Sequence, residues 1–411
     1  MKQRLLRLST YALIGMVVLS FARLVTDAND LTSVGTASAA LLLAVPIALA
    51  GLGGLFSERA GVVNIGLEGM MIMGTWAAGF FGYQHGPWVA ILAAIGFGVL
   101  AAALHAVATI TFGVDHVVSG VAINIIAAGM VRYLSVILYV GVEGAGPTQS
   151  PSIGLVGVNG LPILSGGTYF GWKSPDLLGS LASQQWFLVS DIAAVLRGLT
   201  GGVSYLTMLA LVLFPLSYWL LWRTPFGLRL RSAGEAPVAA ESLGVNVYRM
   251  KYAGVLISGG LAGLAGGYLA VVAANNYQEG QTGGRGFIGL AAMLFGNWRP
   301  GGLAAGSALF GFADALQLRA STAIHAALLV VALALVAYAV VRFRRSQRIA
   351  AAVSLVSAVL IFVFWLRVTE LPGQFVTMTP YVTTLLVLSL ATQRLRMPAA
   401  DGLPYRKGGA H

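Results

Sequence analysis

The sequence predicts an all-α fold, a polytopic bundle of helices within a membrane. Of its 411 residues, 57% are hydrophobic and only 9% are charged, whereas soluble domains are about 45–50% apolar and about 25% charged. So few charged side chains cannot cover a soluble protein of this length. The apolar residues also gather in long runs, and a helix needs about 20 of them to cross a bilayer. A soluble enzyme and a disordered chain are both excluded.

The predicted bundle has about 11 transmembrane helices and one short or broken helix. The predicted spans are residues 11–24, 34–56, 62–81, 88–112, 117–140, 203–222, 252–273, 303–318, 323–341, 349–366 and 375–391. They are apolar on all sides, as expected for helices in lipid or in a bundle core. The short segment, residues 287–295, would be about 13 Å long as a helix. It is therefore too short to cross a hydrocarbon core of about 30 Å.

The first segment has two interpretations. Lys2, Arg4 and Arg7 precede about 12 apolar residues, a pattern that is also typical of a secretory signal. A small-residue cleavage motif does not follow closely, and Arg23 and Asp27 come next instead. We favour a retained helix, with a cleaved signal as the alternative.

The basic residues predict the orientation. With the amino terminus in the cytoplasm and a change of side at each segment, most of the 25 lysines and arginines fall inside, as the positive-inside rule requires. Both termini are then cytoplasmic, residues 141–202 form an extracytoplasmic loop, and residues 223–251 form a cytoplasmic loop. Topology explains the net charge of +11, and no nucleic-acid site is needed. The polar tail from Gln393 is expected to be flexible.

The sequence lacks the residues that cysteine chemistry, metal binding and phosphate binding would need. The chain has no cysteine, and its five histidines lie far apart, which argues against disulfides, thiolate chemistry and a metal site. The phosphate-binding pattern G-x-x-x-x-G-K-[ST] does not occur. We therefore predict that the chain is not an enzyme and that it has no catalytic residues.

The cytoplasmic loop 223–251 contains a candidate coupling helix, a short helix that would contact a partner protein. Glu235 is expected to cap this helix, and Gly244 is expected to end it. The residues of its apolar side would be Val238, Ala239, Ala240 and Leu243. An ordinary amphipathic connector is the alternative.

Three long strings together resemble the permease subunits of ABC-type importers. They are SERAGVVNIGLEGMM (57–71), TPFGLRLRSAGEAPVAAESLGVNV (224–247) and GRGFIGLAAMLFGNWRPGGLAAGSALFGFADALQ (284–317). The resemblance is to the branched-chain amino acid and simple-sugar permease family, and within it to the nucleoside permeases of guanosine type. It covers residues 35–320 and resumes at 371–391, and these segments would be the core of one transmembrane permease domain formed by the whole chain.

The resemblance implies a function and a set of partners. The chain would form the translocation pathway for nucleosides in a bacterial plasma (inner) membrane, surrounded by lipid. A separate ATPase would bind ATP and Mg and would dock on Glu235, Ala239, Ala240 and Gly244, so this chain needs no cofactor. A second permease subunit, often non-identical in this branch, would pair with it. A substrate-binding lipoprotein would deliver the cargo from outside.

Two alternatives remain open. A simple-sugar or branched-chain amino acid permease belongs to the same class, whereas an ion-coupled secondary transporter that works alone belongs to another. The loop 223–251 argues against the latter, which has no need of a coupling helix. Two segments also depart from the family pattern, namely a helical hairpin at 321–366 and an enlarged outer loop at 160–202.

Polar residues near the glycine-rich segments are candidates for the pathway. Asn64 and Glu68 are four residues apart, and they would share a face if this stretch were helical. Both side chains can hydrogen-bond to the hydroxyl and amide groups of a nucleoside. Asn124, and Phe287 of the short segment, complete the candidate set. The alternatives are a structural Asn64–Glu68 pair and a packing kink at 287–295.

Overall fold

The computed structural model describes residues 2–169, 171–319, 321–368, 378–379, 382 and 395–408. The predicted last span, residues 375–391, lies outside the described residues except for residues 378, 379 and 382. The same is true of the second family segment, residues 371–391. The described chain is mostly helical, in agreement with the predicted class.

The helices follow one another along the whole described chain. They are α1 (Lys2–Thr26), α2 (Val34–Arg59), α3 (Leu67–His85), α4 (Pro87–Ala106), α5 (His116–Tyr139), α6 (Leu177–Ala182), α7 (Val189–Thr200), α8 (Tyr205–Arg223), α9 (Pro225–Glu235), α10 (Pro237–Ser242), α11 (Val247–Tyr268), α12 (Arg285–Phe295), α13 (Pro300–Gln317), α14 (Ser321–Arg344) and α15 (Arg348–Arg367). Single π-helical turns extend α4 over Val107–Thr111 and α11 over Leu269–Ala273. The strands have two residues each and are Val158–Asn159, Thr168–Tyr169, Trp172–Lys173 and Val203–Ser204.

Seven of the described helices are long and apolar enough to cross a membrane. These are α2, α4, α5, α8, α11, α14 and α15, where α4 and α11 include their π turns. The chain is therefore a multi-pass membrane protein. The predicted spans 11–24, 62–81 and 303–318 correspond to α1, α3 and α13, which are not among the seven. The predicted short helix is present as α12, whose 11 residues extend about 16 Å.

One compact unit, unit 1, comprises residues 1–41, 159–203 and 312–383. It contains α14 and α15, which form the hairpin that the sequence predicts at 321–366. Asp191 of α7 is buried, accepts a hydrogen bond from Thr32 at 2.5 Å and forms an ion pair with Arg23 of α1 at 3.2 Å. These partners are necessary because a buried carboxylate without them is strongly destabilising.

The other compact unit, unit 2, comprises residues 42–158, 204–311 and 384–411. Within it, α11 packs against α4 at backbone contact distance. A Cβ atom built on Gly263 would lie 2.2 Å from the Ala94 oxygen, and one built on Gly259 would lie 2.4 Å from the Gly98 oxygen. The repeated glycines of α11 thus permit close helix packing, as small residues commonly do in membrane proteins.

Two expectations about unit 2 are wrong. Helix α3 begins at Leu67 rather than near residue 62, because Gly61 turns the chain with φ of +81° after α2 ends. The tail is not a free polar segment over residues 395–408. The Ala400 N–H donates to the Gly234 oxygen at 2.9 Å, and Asp401 is buried.

Replacing Gly263 with alanine should destabilise unit 2, because the new methyl group would collide with the α4 backbone. Overpacking of this kind costs about 1–3 kcal/mol. Gly260→Ala is the matched control, since a Cβ there meets its nearest atom, from Val99, at 3.4 Å. Thermal unfolding of the protein in detergent should show a lower midpoint for Gly263→Ala alone. Equal midpoints for the two variants would contradict the close contact.

Candidate functional site

Helix α12 begins in a turn that glycine accommodates best. Gly283 and Gly284 have φ angles of +54° and +78°, in the left-handed region that glycine enters without strain. Gly284 occupies the capping position of α12 and has no side chain to accept the first N–H groups of the helix. Those groups therefore need an acceptor from elsewhere.

Glu68 supplies that acceptor from the first turn of α3. Its Oε1 accepts a hydrogen bond from the Gly284 N–H at 3.0 Å, and its Oε2 accepts one from the Gly286 N–H at 2.7 Å. The positive end of the helix dipole favours a carboxylate at this place. Gly286 permits the contact, because a Cβ there would lie 2.6 Å from the Glu68 nitrogen. Glu68 thus binds the start of α12 to α3 through both of its carboxylate oxygens.

Asn64 does not share a helical face with Glu68, because α3 begins only at Leu67 and the condition for the shared face is not met. Residues 62–64 have no regular structure, because the turn at Gly61 separates them from α2. Asn64 is completely buried, and its Nδ2 donates to the Ser258 Oγ of α11 at 2.9 Å. Its Oδ1 has no hydrogen-bond partner among the described residues. Asn64 is the pathway candidate that keeps an unused acceptor.

Asn124 of α5 supports the same irregular segment. It accepts a hydrogen bond from the Gly69 N–H at 2.7 Å and donates to the Ile65 oxygen at 3.1 Å. The side chain therefore holds the turn that leads into α3. Phe287, in the first turn of α12, is different, because 46% of it is exposed.

Two histidines also hold this segment, and the sequence analysis did not connect them with it. The His105 ring contacts the Ser119 Oγ at 2.8 Å and the Val63 oxygen at 3.1 Å. The Val63 N–H donates to the Nδ1 of His116 at 3.2 Å. The two histidines are separated from Val63 by 42 and 53 positions. Sequence spacing therefore could not predict that both of them bind the backbone of Val63.

The candidate coupling helix is α10, and one detail of its prediction is wrong. Glu235 is the last residue of α9, and Ala236 is the capping residue of α10. The Glu235 carboxylate instead forms an ion pair with Arg59 at 3.4 Å. Gly244 follows α10 with φ of +80°, which agrees with its predicted role at the end of this helix.

The two sides of α10 have different environments. Ala240 is buried and packs with Ala233 and Val247, so it is not part of an outward apolar side as predicted. Val238 and Leu243 are exposed, and 85% of Leu243 is accessible. The outward surface of α10 is therefore small and apolar, as a docking surface requires.

The end of α2 holds the loop between α12 and α13. The Trp298 Nε1 donates to the Glu58 carboxylate at 2.6 Å, and the Arg59 guanidinium donates to the Trp298 oxygen at 2.8 Å. Asn297 and Trp298 both have φ of +53°, a conformation that is strained for residues other than glycine. The loop is thus fixed by contacts that the sequence analysis missed.

Removing the Glu68 carboxylate should loosen the start of α12. Glu68→Ala leaves the buried Gly286 N–H and the partly buried Gly284 N–H without acceptors, and an unsatisfied buried group costs about 1–3 kcal/mol. The amide hydrogens of Gly284 and Gly286 should exchange faster in this variant. Glu279→Ala is the control, because it removes an exposed ion pair with Arg132 that contributes about 0–1 kcal/mol. Unchanged exchange at both glycines would refute the capping role of Glu68.

Comparison with known proteins identifies relatives along most of the chain. The family model described as "Branched-chain amino acid transport system / permease component" matches residues 36–340. The guanosine ABC transporter permease protein NupQ of Bacillus subtilis (strain 168) is 35% identical over 377 residues, which are 90% of this chain and 96% of NupQ. The nucleoside ABC transporter permease protein NupC of Lactococcus lactis subsp. cremoris (strain MG1363) is 32% identical over 89% of this chain and 95% of NupC.

A more distant relative is named for a different substrate. The putative glucose ABC transporter permease protein TsgC13 of Haloferax volcanii is 32% identical over 70% of this chain and 78% of TsgC13. No solved structure matches the chain significantly. The matched residues 36–340 include the Glu68–α12 junction and the loop of α9 and α10. The chain belongs to the family of permease components of the branched-chain amino acid transport system type.

Proposed function

We propose that the chain is the permease subunit of an ATP-binding cassette importer that carries nucleosides. The observation that carries this proposal is the similarity to NupQ and NupC, which extends over 90% and 89% of the chain. Both relatives are named as permeases, one for guanosine and one for nucleosides. A similarity of this extent includes the capped helix α12 and the exposed helix α10, the two features on which transport and its coupling would depend.

A separate ATPase drives the transport in this proposal, and it binds the ATP and Mg. Two features support a separate motor. The sequence contains no G-x-x-x-x-G-K-[ST] loop. Helix α10 presents exposed Val238 and Ala239, and the capping residue Leu243 is exposed beside them. Glu235 holds the junction of α9 and α10 through Arg59, and Gly244 permits the turn after α10.

Membership of the permease family supports the assembly that we propose. A second permease subunit, non-identical in this proposal, pairs with the chain, and a substrate-binding lipoprotein brings the cargo to the outer face. The chain forms one permease domain with about 11 spans in the lipid of a bacterial plasma membrane. Both termini and the arginine-rich turn 342–348 are cytoplasmic, which the positive-inside rule supports.

The pathway in this proposal passes the irregular segment 62–66 and the start of α12. Asn64 has the unused Oδ1 acceptor that could receive a hydrogen bond from a base or ribose. Phe287 is exposed enough to stack on a base. Glu68 and Asn124 use their polar atoms to hold backbone groups, so we assign them positioning roles along the pathway.

A sugar importer is the second candidate, because TsgC13 is named as a putative glucose permease. A ribose and a hexose both offer hydroxyl groups, but only a nucleoside has an aromatic base for stacking. Uptake by vesicles containing the chain, its second permease and its ATPase, with the binding lipoprotein outside, separates the two candidates. Labelled guanosine should accumulate when ATP is present on the ATPase side, and labelled glucose and leucine should not. Accumulation of glucose or leucine without guanosine would refute the nucleoside assignment.

An arginine at Leu243 should detach the ATPase, because it places a charge in the apolar contact of α10. Loss of a buried anchor at an interface weakens binding by about tenfold or more. Leu155→Arg is the matched control, since 80% of Leu155 is exposed in the loop that we place outside. Binding of the ATPase and ATP hydrolysis in the vesicles should fall only for Leu243→Arg. Normal ATPase binding by Leu243→Arg would exclude α10 as the docking helix.

Asn64→Ala should reduce guanosine uptake per assembled complex by about tenfold, because a buried polar partner of the cargo is lost. Ser258→Ala is the matched control. It removes the same Asn64–Ser258 hydrogen bond but leaves the Asn64 oxygen in place. Uptake that falls in Asn64→Ala and persists in Ser258→Ala supports contact with the cargo. Equal losses in both variants would mean that Asn64 only stabilises the fold.

A further inference from the structure

The carboxyl-terminal residues 395–408, called the tail strap below, make ordered contacts with separate elements of unit 2. Near its start, the Arg396 N–H donates to the Asn297 Oδ1 at 2.7 Å. Asn297 belongs to the strained loop between α12 and α13, next to Trp298. This end of the tail strap therefore touches the loop that follows the short helix.

The middle of the tail strap contacts the end of α9. The Ala399 N–H donates to the Glu235 carboxylate at 3.2 Å, and the Ala400 N–H donates to the Gly234 oxygen at 2.9 Å. Gly234 is buried in a close backbone contact, because a Cβ there would lie 2.4 Å from the Arg59 oxygen. The tail strap is thus joined to the segment that leads directly into α10.

The far end of the tail strap contacts α10 and the start of α11. The Tyr405 hydroxyl donates to the Glu241 carboxylate at 2.5 Å, and the Tyr405 ring lies 5.3 Å from the Tyr248 ring. Tyr405 also packs on the cluster that contains Ala240, on the inner side of α10. This end leaves exposed Leu243 uncovered, so it contacts α10 without occupying its outward surface.

Asp401 anchors the tail strap in the interior of unit 2. Its carboxyl group is buried beside Glu58, and Glu58 accepts a hydrogen bond from the Trp298 Nε1 at 2.6 Å. Burial, and then the charge of Glu58, raise the pKa of Asp401 from its ordinary 3.8 to about 9, against the opposing charge of Lys251. The interior of unit 2 therefore favours the protonated form of the Asp401 carboxyl group.

We propose that the tail strap is a mechanical link between α10 and the α12–α13 loop, and that it transmits displacement of the docking helix to the short helix. The inference rests on the proposed function, because α10 is displaced only if an ATPase docks there. The link is continuous in the chain from Arg396 to Tyr405, and each end is held by a hydrogen bond to the element that it joins. In the middle of the link, Asp401 lies beside Glu58, which binds Trp298 of the same loop.

The first test uses hydrogen exchange in the full chain without partners, so it does not depend on the proposed function. Tyr405→Phe removes the bond to Glu241 and keeps the ring. It should speed amide exchange at residues 240–243 and also at residues 297–299, by about tenfold for loss of a hydrogen bond to a charged group. Tyr133→Phe, on an exposed side chain of α5, is the control and should change neither segment. A change confined to residues 240–243 would overturn the link.

The second test uses vesicles that contain all partners. Tyr405→Phe should still bind the ATPase and hydrolyse ATP, because Leu243 is untouched. Guanosine uptake per ATP hydrolysed should fall by about tenfold. Unchanged uptake per ATP in this variant, or loss of ATPase binding, would overturn the link. If the wild-type chain shows no ATP-dependent uptake, the proposed function fails. The exchange test alone then decides whether the tail strap couples α10 to the α12–α13 loop.

The carboxyl pair gives the link a defined pH dependence. The groups that face Asp401 are Glu58 and Arg59 of α2 and Lys251 of α11. Because the pKa of Asp401 is raised in the folded chain, its stabilising contribution is complete below about pH 4 and is lost as the pH rises to about 9. Tail exchange should therefore accelerate with pH more in the wild type than in Asp401→Asn, which keeps a donor at every pH. The same pH profile in both proteins would contradict the raised pKa of Asp401.

Discussion

The two hydrogen bonds from Gly284 and Gly286 to the Glu68 carboxylate fix the start of α12, and the geometry of unit 2 depends on them. A helix that begins within an apolar region has N–H groups that water does not reach, and each must find an acceptor in the protein. Glycines at the junction bring the backbones close enough for one side chain to serve both groups. The carboxylate also compensates the helix dipole, so this apolar region can contain a helix that does not cross the membrane.

The other end of α12 is held by a second set of contacts. Glu58 and Arg59, at the end of α2, bind Trp298 in the loop after α12. Arg59 also pairs with Glu235, which precedes α10. A displacement of α10 therefore has two physical routes to α12, one through α2 and one through the tail strap. In the proposed importer, both routes would carry the effect of an ATPase that docks on α10 to the short helix.

Much of the fold could be predicted from the sequence, because membrane spans and helix ends have local signals. Such signals predicted the apolar segments, the short helix α12, the hairpin α14–α15 and the position of Gly244 at the end of α10. The predicted start of α3 near residue 62 was wrong because one glycine at residue 61 breaks a continuous apolar pattern. The predicted capping role of Glu235 was wrong because its partner Arg59 is distant in sequence. Other features depend on contacts between segments that are remote in sequence, which a single sequence does not display. These features are the capping of α12 by Glu68, the two histidines that bind Val63, and the docked tail.

In the proposed transporter, α12 is the part of the pathway that moves, and Glu68 holds its start in the resting state. The most direct measurement is hydrogen exchange at the amides of Gly284 and Gly286 in the assembled transporter, with and without ATP turnover. We expect strong protection without ATP, faster exchange during turnover, and no such change when Leu243→Arg prevents docking of the ATPase. Equal protection in the resting and turning-over complexes, while guanosine is being transported, would contradict this role of α12.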